Sequence, residues 1–219
     1  MERFDWSSTG INLEALIRSY SFSLAKSRRR FVAPGNLPDE RIVFVPPAVQ
    51  PILPTCQTTQ DYLESLPSDL GEHLVILMRS GHGCLGIGSV DELNDVKAIR
   101  RYTVRKSQGK SQSALENKKK VRSAGSQLRR RETTAFFVEL ASELMKREKR
   151  IKQCQRIFIA SPVRLWPELF AVKQPLPFKA DDPRLIKVAL DIKTPNREGL
   201  DKFNLQLGRG YWAIDSPAL

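Results

Sequence analysis

From Lys97 to Arg131 the chain carries thirteen Lys or Arg side chains against a single acid, Glu116, and between Tyr102 and Phe136 it has no aromatic residue. A stretch of that kind cannot enter a hydrophobic core, because burying unpaired charges costs far more than packing returns. It must stay solvated or lie against a polar partner. The rest of the chain holds 23 basic and 23 acidic residues and is neutral, so the net charge of +12 on 219 residues resides in this one segment. Whatever the protein binds through charge, it is expected to bind there.

Outside that segment the sequence suits a globular protein. Its 41% hydrophobic content suffices for a core. The longest purely apolar run, Leu74 to Met78, is five residues, against the roughly 20 a membrane-spanning helix needs, so no membrane partner is expected. Met1 to Gly10 is polar and lacks the apolar stretch of a secretory signal. Cys56, Cys84 and Cys154 are odd in number and far apart, which argues against a disulfide framework or zinc site and suits a reducing cytoplasm, with the thiols acting as small buried hydrophobes.

Seven of the fourteen prolines fall between Pro34 and Pro67. They limit the N-terminal part to a helical stretch over Leu13–Leu24 and short extended pieces such as Arg41–Val45, and residues 1–70 read as a proline-rich arm preceding a domain at 71–219. In that domain Leu74–Met78 and the glycine-rich Ser80–Ser89 predict two strands joined by a tight turn, and Val96–Arg105 predicts a third. Phe137, Leu140, Ala141, Leu144 and Met145 form a one-sided stripe that predicts a long helix, capped by Ser126 or starting near Ser123. Arg156–Ala160 reads as a buried strand, Pro162–Phe170 as a short helix, Arg184–Ile192 as a strand and Glu198–Leu207 as a last helix. Strands interleaved with helices indicate an α/β or α+β fold around a mixed sheet.

Two apparent motifs have simpler readings. Gly81-x-Gly83-x-x-Gly86 fits the dinucleotide-binding string, but no long helix follows, and the position where an acid would hold a ribose falls inside the polycation. Tight-turn glycines explain it better. His73 and His82 are the only histidines; His73 reads as a surface residue before a strand and His82 as a turn residue, with no spacing that pairs them for acid–base work. No carboxylate cluster accompanies the lone Glu116, so no metal and no small-molecule cofactor is implied.

The polycation itself holds an uncharged, glycine-containing insert. The run Tyr102-Thr-Val-Arg-Lys-Ser-Gln-Gly-Lys-Ser-Gln-Ser113, followed by Ser123-Ala-Gly-Ser-Gln-Leu-Arg-Arg130, resembles the release-factor-like catalytic domain of the ankyrin-repeat and zinc-finger peptidyl-tRNA hydrolases, ribosome quality control factors that detach stalled nascent chains from tRNA. Weaker similarity at Arg79-Ser-Gly-His82, Asp182-Pro-Arg184 and Thr194-Pro195 extends the resemblance over about Glu72 to Trp212. It implies a mixed sheet with flanking helices, like the ribonuclease-H-like catalytic domain of eukaryotic-type release factors, with a protruding basic loop. It also implies that Gln112 corresponds to the glutamine of the release-factor GGQ loop, with Tyr102 and Arg105 as catalytic or positioning companions. The implied partners are the large ribosomal subunit, its rRNA and peptidyl-tRNA, met by a monomer. Two departures stand out. The glycine before the family's Ser-Gln is Lys110 here, and the family's zinc finger and ankyrin repeats do not occur in these residues, which fits the stand-alone versions expected in bacteria.

The residue types suit that chemistry. Gly109 gives backbone reach, while Gln108, Lys110, Ser111 and Ser113 are polar and need no core. Arg101, Lys106, Lys118, Lys119, Lys120, Arg122, Arg129 and Arg130 are positioned in sequence to neutralise RNA phosphates on both flanks. Gln112 does not titrate in the working range, but its carboxamide can orient a hydroxyl or water and donate to developing negative charge. Arg105 can clamp a phosphate as a bidentate donor, and Tyr102 can position the nucleophile or stack on a base. Two reactions remain open, hydrolysis of the peptidyl ester by water and attack of a ribose 2′-hydroxyl on the neighbouring phosphate. Two further readings also stand, a non-catalytic ribosome- or RNA-binding module in which the loop is only an anchor, and a general ribonuclease.

Overall fold

The computed structural model describes residues 1–25, 27, 29–101, 124–188 and 194–215. The chain forms two compact units, one built from Met1–Leu70 with Lys202–Leu219 and the other from Gly71–Asp201. In chain order the elements are β1 (Glu2–Asp5), α1 (Thr9–Ile17), β2 (Ser23–Leu24), β3 (Phe31–Pro34), β4 (Arg41–Val45), α2 (Thr59–Glu64), β5 (His73–Arg79), β6 (His82–Gly88), β7 (Leu93–Arg100), α3 (Ala124–Lys146), α4 (Glu148–Gln153), β8 (Arg156–Ala160), α5 (Trp166–Phe170), β9 (Leu185–Lys187), α6 (Arg197–Leu207) and β10 (Arg209–Asp215). The fold is mixed α+β, as the sequence predicts.

Where the prolines suggested an arm, the first unit has a five-stranded sheet of order β1-β10-β4-β3-β2. Its strands are short enough to coexist with the prolines, and one of them, β10, comes from the far end of the chain, so local reading cannot find it. Phe4 stacks on Phe44 at 5.2 Å, and Phe31, Leu13, Leu16 and Tyr62 complete a core of their own. Tyr62 donates its hydroxyl to the Gln50 carbonyl at 2.8 Å, and Thr58 and Asp61 close a capping box on α2. The predicted helix over Leu13–Leu24 stops at Ile17: beyond it Ser19 and Tyr20 donate back to Leu16, and Ser23–Leu24 turn extended to pair with β3.

The second unit has a five-stranded mixed sheet of order β7-β6-β5-β8-β9. β5, β6 and β7 form an antiparallel meander, and β8 and β9 add in parallel. Alternate residues of β5 (Leu74, Ile76, Met78) meet Phe136, Phe137, Leu140 and Leu144 of α3, and Ile151 of α4 joins the same core. This is the stripe read from the sequence, one of whose members, Met145, is only half-buried. On the opposite face Leu200 of α6 packs over Gly86. β7 begins three residues earlier than predicted, at Leu93, and the described part of the Arg184–Ile192 strand is Leu185–Lys187.

The three cysteines are free and buried, and burial pushes the Cys84 and Cys154 thiols up to about 11. His73 is the opposite of the surface residue expected: it is 2% exposed inside β5, its ring set edge-on to Phe158 at 5.3 Å. It simply extends the apolar strand by one position. His82, expected in a turn, opens β6 and lies in register with Arg79.

Candidate RNA-interacting site

Tyr102, Arg105, Gln112, the insert Gln108, Gly109, Lys110, Ser111 and Ser113, and the cations Lys106, Lys118, Lys119, Lys120 and Arg122 lie outside the described residues. The backbone of Arg129 falls in α3, and Arg130, one position on, is exposed. What the fold does define is the pair of elements between which this segment runs. It leaves at the end of β7 and rejoins at the start of α3.

The departure point is tightly built. Ser80 and Gly81 join β5 to β6, and Gly81 has φ +72°, a backbone that L side chains rarely adopt. The backbone N–H of Arg101 donates to the Gly81 carbonyl at 2.6 Å, carrying the β6–β7 ladder one residue past Arg100. The Arg101 guanidinium turns to α3, where it donates to Glu139 at 2.9 Å and lies 4.0 Å from Glu132. A half-buried pair this open to solvent screening is worth only about 0.2–1 kcal/mol. Its consequence is geometric: the residue preceding Tyr102 is tied to the helix that receives the segment's other end. Arg101, grouped with the RNA-contacting cations on sequence, thus has carboxylate partners of its own. The missed signal was Glu132 and Glu139, two acids seven residues apart and so on one side of α3.

The other end of α3 is anchored by a second ion network. Arg147, at the break between α3 and α4, donates to Asp95 of β7 at 2.9 Å and to Glu143 at 2.7 Å. Arg150 pairs with Glu72. The Arg150 hydrogen bonds hold the Glu72 carboxyl below the usual range, and Lys146 first, then Arg147, do the same for Glu143. Arg184 caps the chain after α4 by donating to the Ile151 and Cys154 carbonyls at 2.9 and 3.0 Å while held by Asp182 at 2.8 Å. These groups fix how α3 lies across the sheet, which in turn sets where the basic segment begins and ends.

A half-open groove of about 570 Å³ lies between α3 and the chain after α5, lined by Thr134, Phe137, Val138, Glu168, Val172 and Lys173 among others. Among the described residues its lining holds no histidine, cysteine or paired carboxylates. Among the described residues no group of three or more His, Cys, Asp or Glu side chains is placed to hold a metal, and no helix is long and apolar enough to cross a membrane.

The second unit is thus a mixed sheet backed by a long helix, and the polycationic segment runs in the chain between β7 and that helix. Comparison with known families makes this a release-factor-like domain: residues 73–211 match the family described as Bacteroidetes VLRF1 release factor, and the chain belongs to that family. A curated relative, the tRNA endonuclease VMS1 of Saccharomyces cerevisiae, is 44% identical over 64 residues, which is 29% of this chain and 10% of that protein. The chain thus aligns with about a tenth of that relative. Among solved structures, the Vms1 mitochondrial localization core superposes with a TM-score of 0.53 at 13% identity, over 92% of this chain and 81% of that one. It shares the fold.

Proposed function

We propose that this protein is a ribosome quality control enzyme that frees stalled nascent chains by cutting peptidyl-tRNA within its 3′ acceptor end, acting in the cytoplasm as a monomer on the large ribosomal subunit. The observation that carries the reading is the family match over residues 73–211, which encloses the glutamine-bearing insert and both of its anchoring elements. The relative named as a tRNA endonuclease supports cleavage of a phosphodiester over an ester. Kinship with the ankyrin-repeat and zinc-finger peptidyl-tRNA hydrolases rests on the Tyr102–Ser113 and Ser123–Arg130 motifs.

In this mechanism the ribose 2′-hydroxyl attacks the adjacent phosphorus, a new P–O2′ bond forms, and the P–O5′ bond breaks. The products are a 2′,3′-cyclic phosphate on the tRNA body and a 5′-hydroxyl on the short remnant that keeps the peptide. The hydroxyl proton passes in net terms to the leaving oxygen, so no outside reagent is consumed. Gln112 orients the attacking hydroxyl and donates to the phosphoryl oxygens, a preorganised contribution of a few kcal/mol. Arg105 neutralises the charge that builds on the phosphoryl oxygens, and Tyr102 holds the nucleotide. The flanking lysines bind the surrounding RNA.

Gln112→Ala tests this. The variant is expected to bind stalled ribosomes as the parent does and to lose peptide release by at least a hundredfold, the scale of removing one oxyanion donor. Undiminished release would remove Gln112 from the mechanism, and binding without release by the parent itself would reduce the domain to a ribosome anchor.

A further inference from the structure

We infer that the β2–β3 hairpin carries a second RNA contact, in which Arg29 and Arg30 at its tip bind backbone phosphates through their guanidinium groups. The contact rests on the proposed action on ribosome-bound tRNA and adds to it a docking point on the first unit, in a part of the chain that the family match over residues 73–211 does not reach. The run Lys26-Ser27-Arg28-Arg29-Arg30 holds four of the seven cations in residues 1–70, and no acid occurs between Glu14 and Asp39. Lys26 and Arg28 lie outside the described residues, so the contact is assigned to Arg29 and Arg30.

The hairpin is pinned at its base and open at its tip. Ser23 and Leu24 pair with Val32 and Phe31, Phe31 is fully buried, and Leu24 packs against the same core. One step further out the Ala25 N–H donates to the Arg30 carbonyl at 3.0 Å, which closes the connection and fixes the backbone beneath the Arg30 side chain. β2 is the edge strand of its sheet. Arg29 and Arg30 are both exposed, and among the described residues no carboxylate pairs with either. Two strand arginines of the same unit are placed otherwise: Arg41 stands opposite Asp215 across β4 and β10, and Arg209 opposite Asp5 across β10 and β1.

Folding gains nothing from like charges set side by side without a counter-charge, since their repulsion opposes compactness. A polyanion turns that repulsion into binding, because guanidinium forks match phosphate oxygens bidentately. Outside the run 26–30, residues 1–70 hold three cations and eight acids, so this part of the chain offers an RNA backbone no other concentration of positive charge. An anionic membrane fits less well. A surface-bound segment needs apolar side chains to enter the lipid, and among the described residues of the connection, Ala25, Ser27, Arg29 and Arg30, no large apolar side chain is exposed. An acidic protein segment would match the charge, and RNA is favoured over it because the proposed substrate already brings RNA phosphates to this chain.

The test is binding of the full chain to two probes, deacylated tRNA and purified large ribosomal subunits, across a salt series. The parent is compared with R29Q/R30Q, with R29Q and R30Q singly and with R29K/R30K, and melting curves confirm folding. R29Q/R30Q is expected to flatten the log–log salt slope by about 1.4–1.8 with at least one probe, and each single variant by about 0.7–0.9, the share of one phosphate. The probe affected tells whether tRNA or ribosomal RNA supplies the phosphates. R29K/R30K keeps the charge and is expected to keep the parent slope; a flattening there equal to that of R29Q/R30Q would overturn the phosphate contact. A parent slope in R29Q/R30Q with both probes, or a parent without salt dependence, would overturn it as well. Lost binding of polyglutamate with unchanged RNA slopes would assign the tip to an acidic protein and overturn the RNA contact. Cleavage is scored separately on stalled ribosome–nascent-chain complexes: a parent that shortens the tRNA keeps the proposed function standing whatever the hairpin does, and a flattened slope in R29Q/R30Q beside a parent that cuts nothing keeps the contact and overturns the function.

Discussion

A Cβ added at Gly88 would sit on the Glu92 carbonyl oxygen and against the Leu93 Cα, at the point where the β6–β7 register shifts. Backbone cannot swing aside as a side chain can, so Gly88→Ala is expected to destabilise the protein by about 1–3 kcal/mol, read as a lower denaturant midpoint; a neutral result would mean that the turn relaxes freely. Glu139→Gln is different in kind. It removes a half-buried, solvent-screened partner of Arg101, so a loss of under about 1 kcal/mol is expected, and a larger loss by chemical denaturation would show the tether to be structural. Individual residues were unevenly legible. The buried thiols and the tight-turn glycines could be read from sequence, but His73 could not, because its neighbour Phe158 lies on a strand more than eighty positions away. The carboxylate partners of Arg101 were not legible either, because its acids sit across a segment that local reading treats as a gap.

At the scale of elements, α3 was the most readable, since a 3.6-residue stripe reports burial wherever the partner sheet lies. Leu140→Ala in that stripe leaves a cavity in the core and is expected to cost about 2–5 kcal/mol in unfolding free energy; a cost near 1 would show that the helix packs loosely. β1 and β10 were missed because a short strand between turns gains its stability from a partner distant in sequence, and the helix over Leu13–Leu24 was overextended because the pairing of Ser23–Leu24 with β3 is equally invisible. The ion network beneath α3 predicts an acid limit. Glu72, Glu143 and Asp182 have carboxyls held below their ordinary values of 4.5, 4.5 and 3.8. Their stabilisation is fully present above those values and is lost as pH falls through the lower folded ones. Melting temperature is therefore expected to drop progressively below about pH 4.5 and to do so less in Glu72→Gln, whose single substitution already removes part of the acid-sensitive stability; an equal drop in both proteins would show that Glu72 contributes none of the acid sensitivity.

At the scale of the molecule, the division of the charge organises everything else: a neutral two-unit scaffold holds one polycation by its ends, at β7 and α3. The candidate site was therefore legible in sequence as a segment, through its motif, while its anchoring was not, because Gly81, Glu132 and Glu139 meet Arg101 only in the folded chain. Neutralising Lys118, Lys119 and Lys120 is expected to weaken ribosome binding and flatten its salt dependence, and an unchanged slope would take these lysines off the phosphates. The central claim, cleavage of a phosphodiester in the acceptor end, is tested most directly by incubating the protein with stalled ribosome–nascent-chain complexes and sequencing the 3′ end of the released tRNA. A tRNA shortened at its acceptor end and closed by a cyclic phosphate is the predicted product; an intact, deacylated 3′ end, or no release at all, would contradict it.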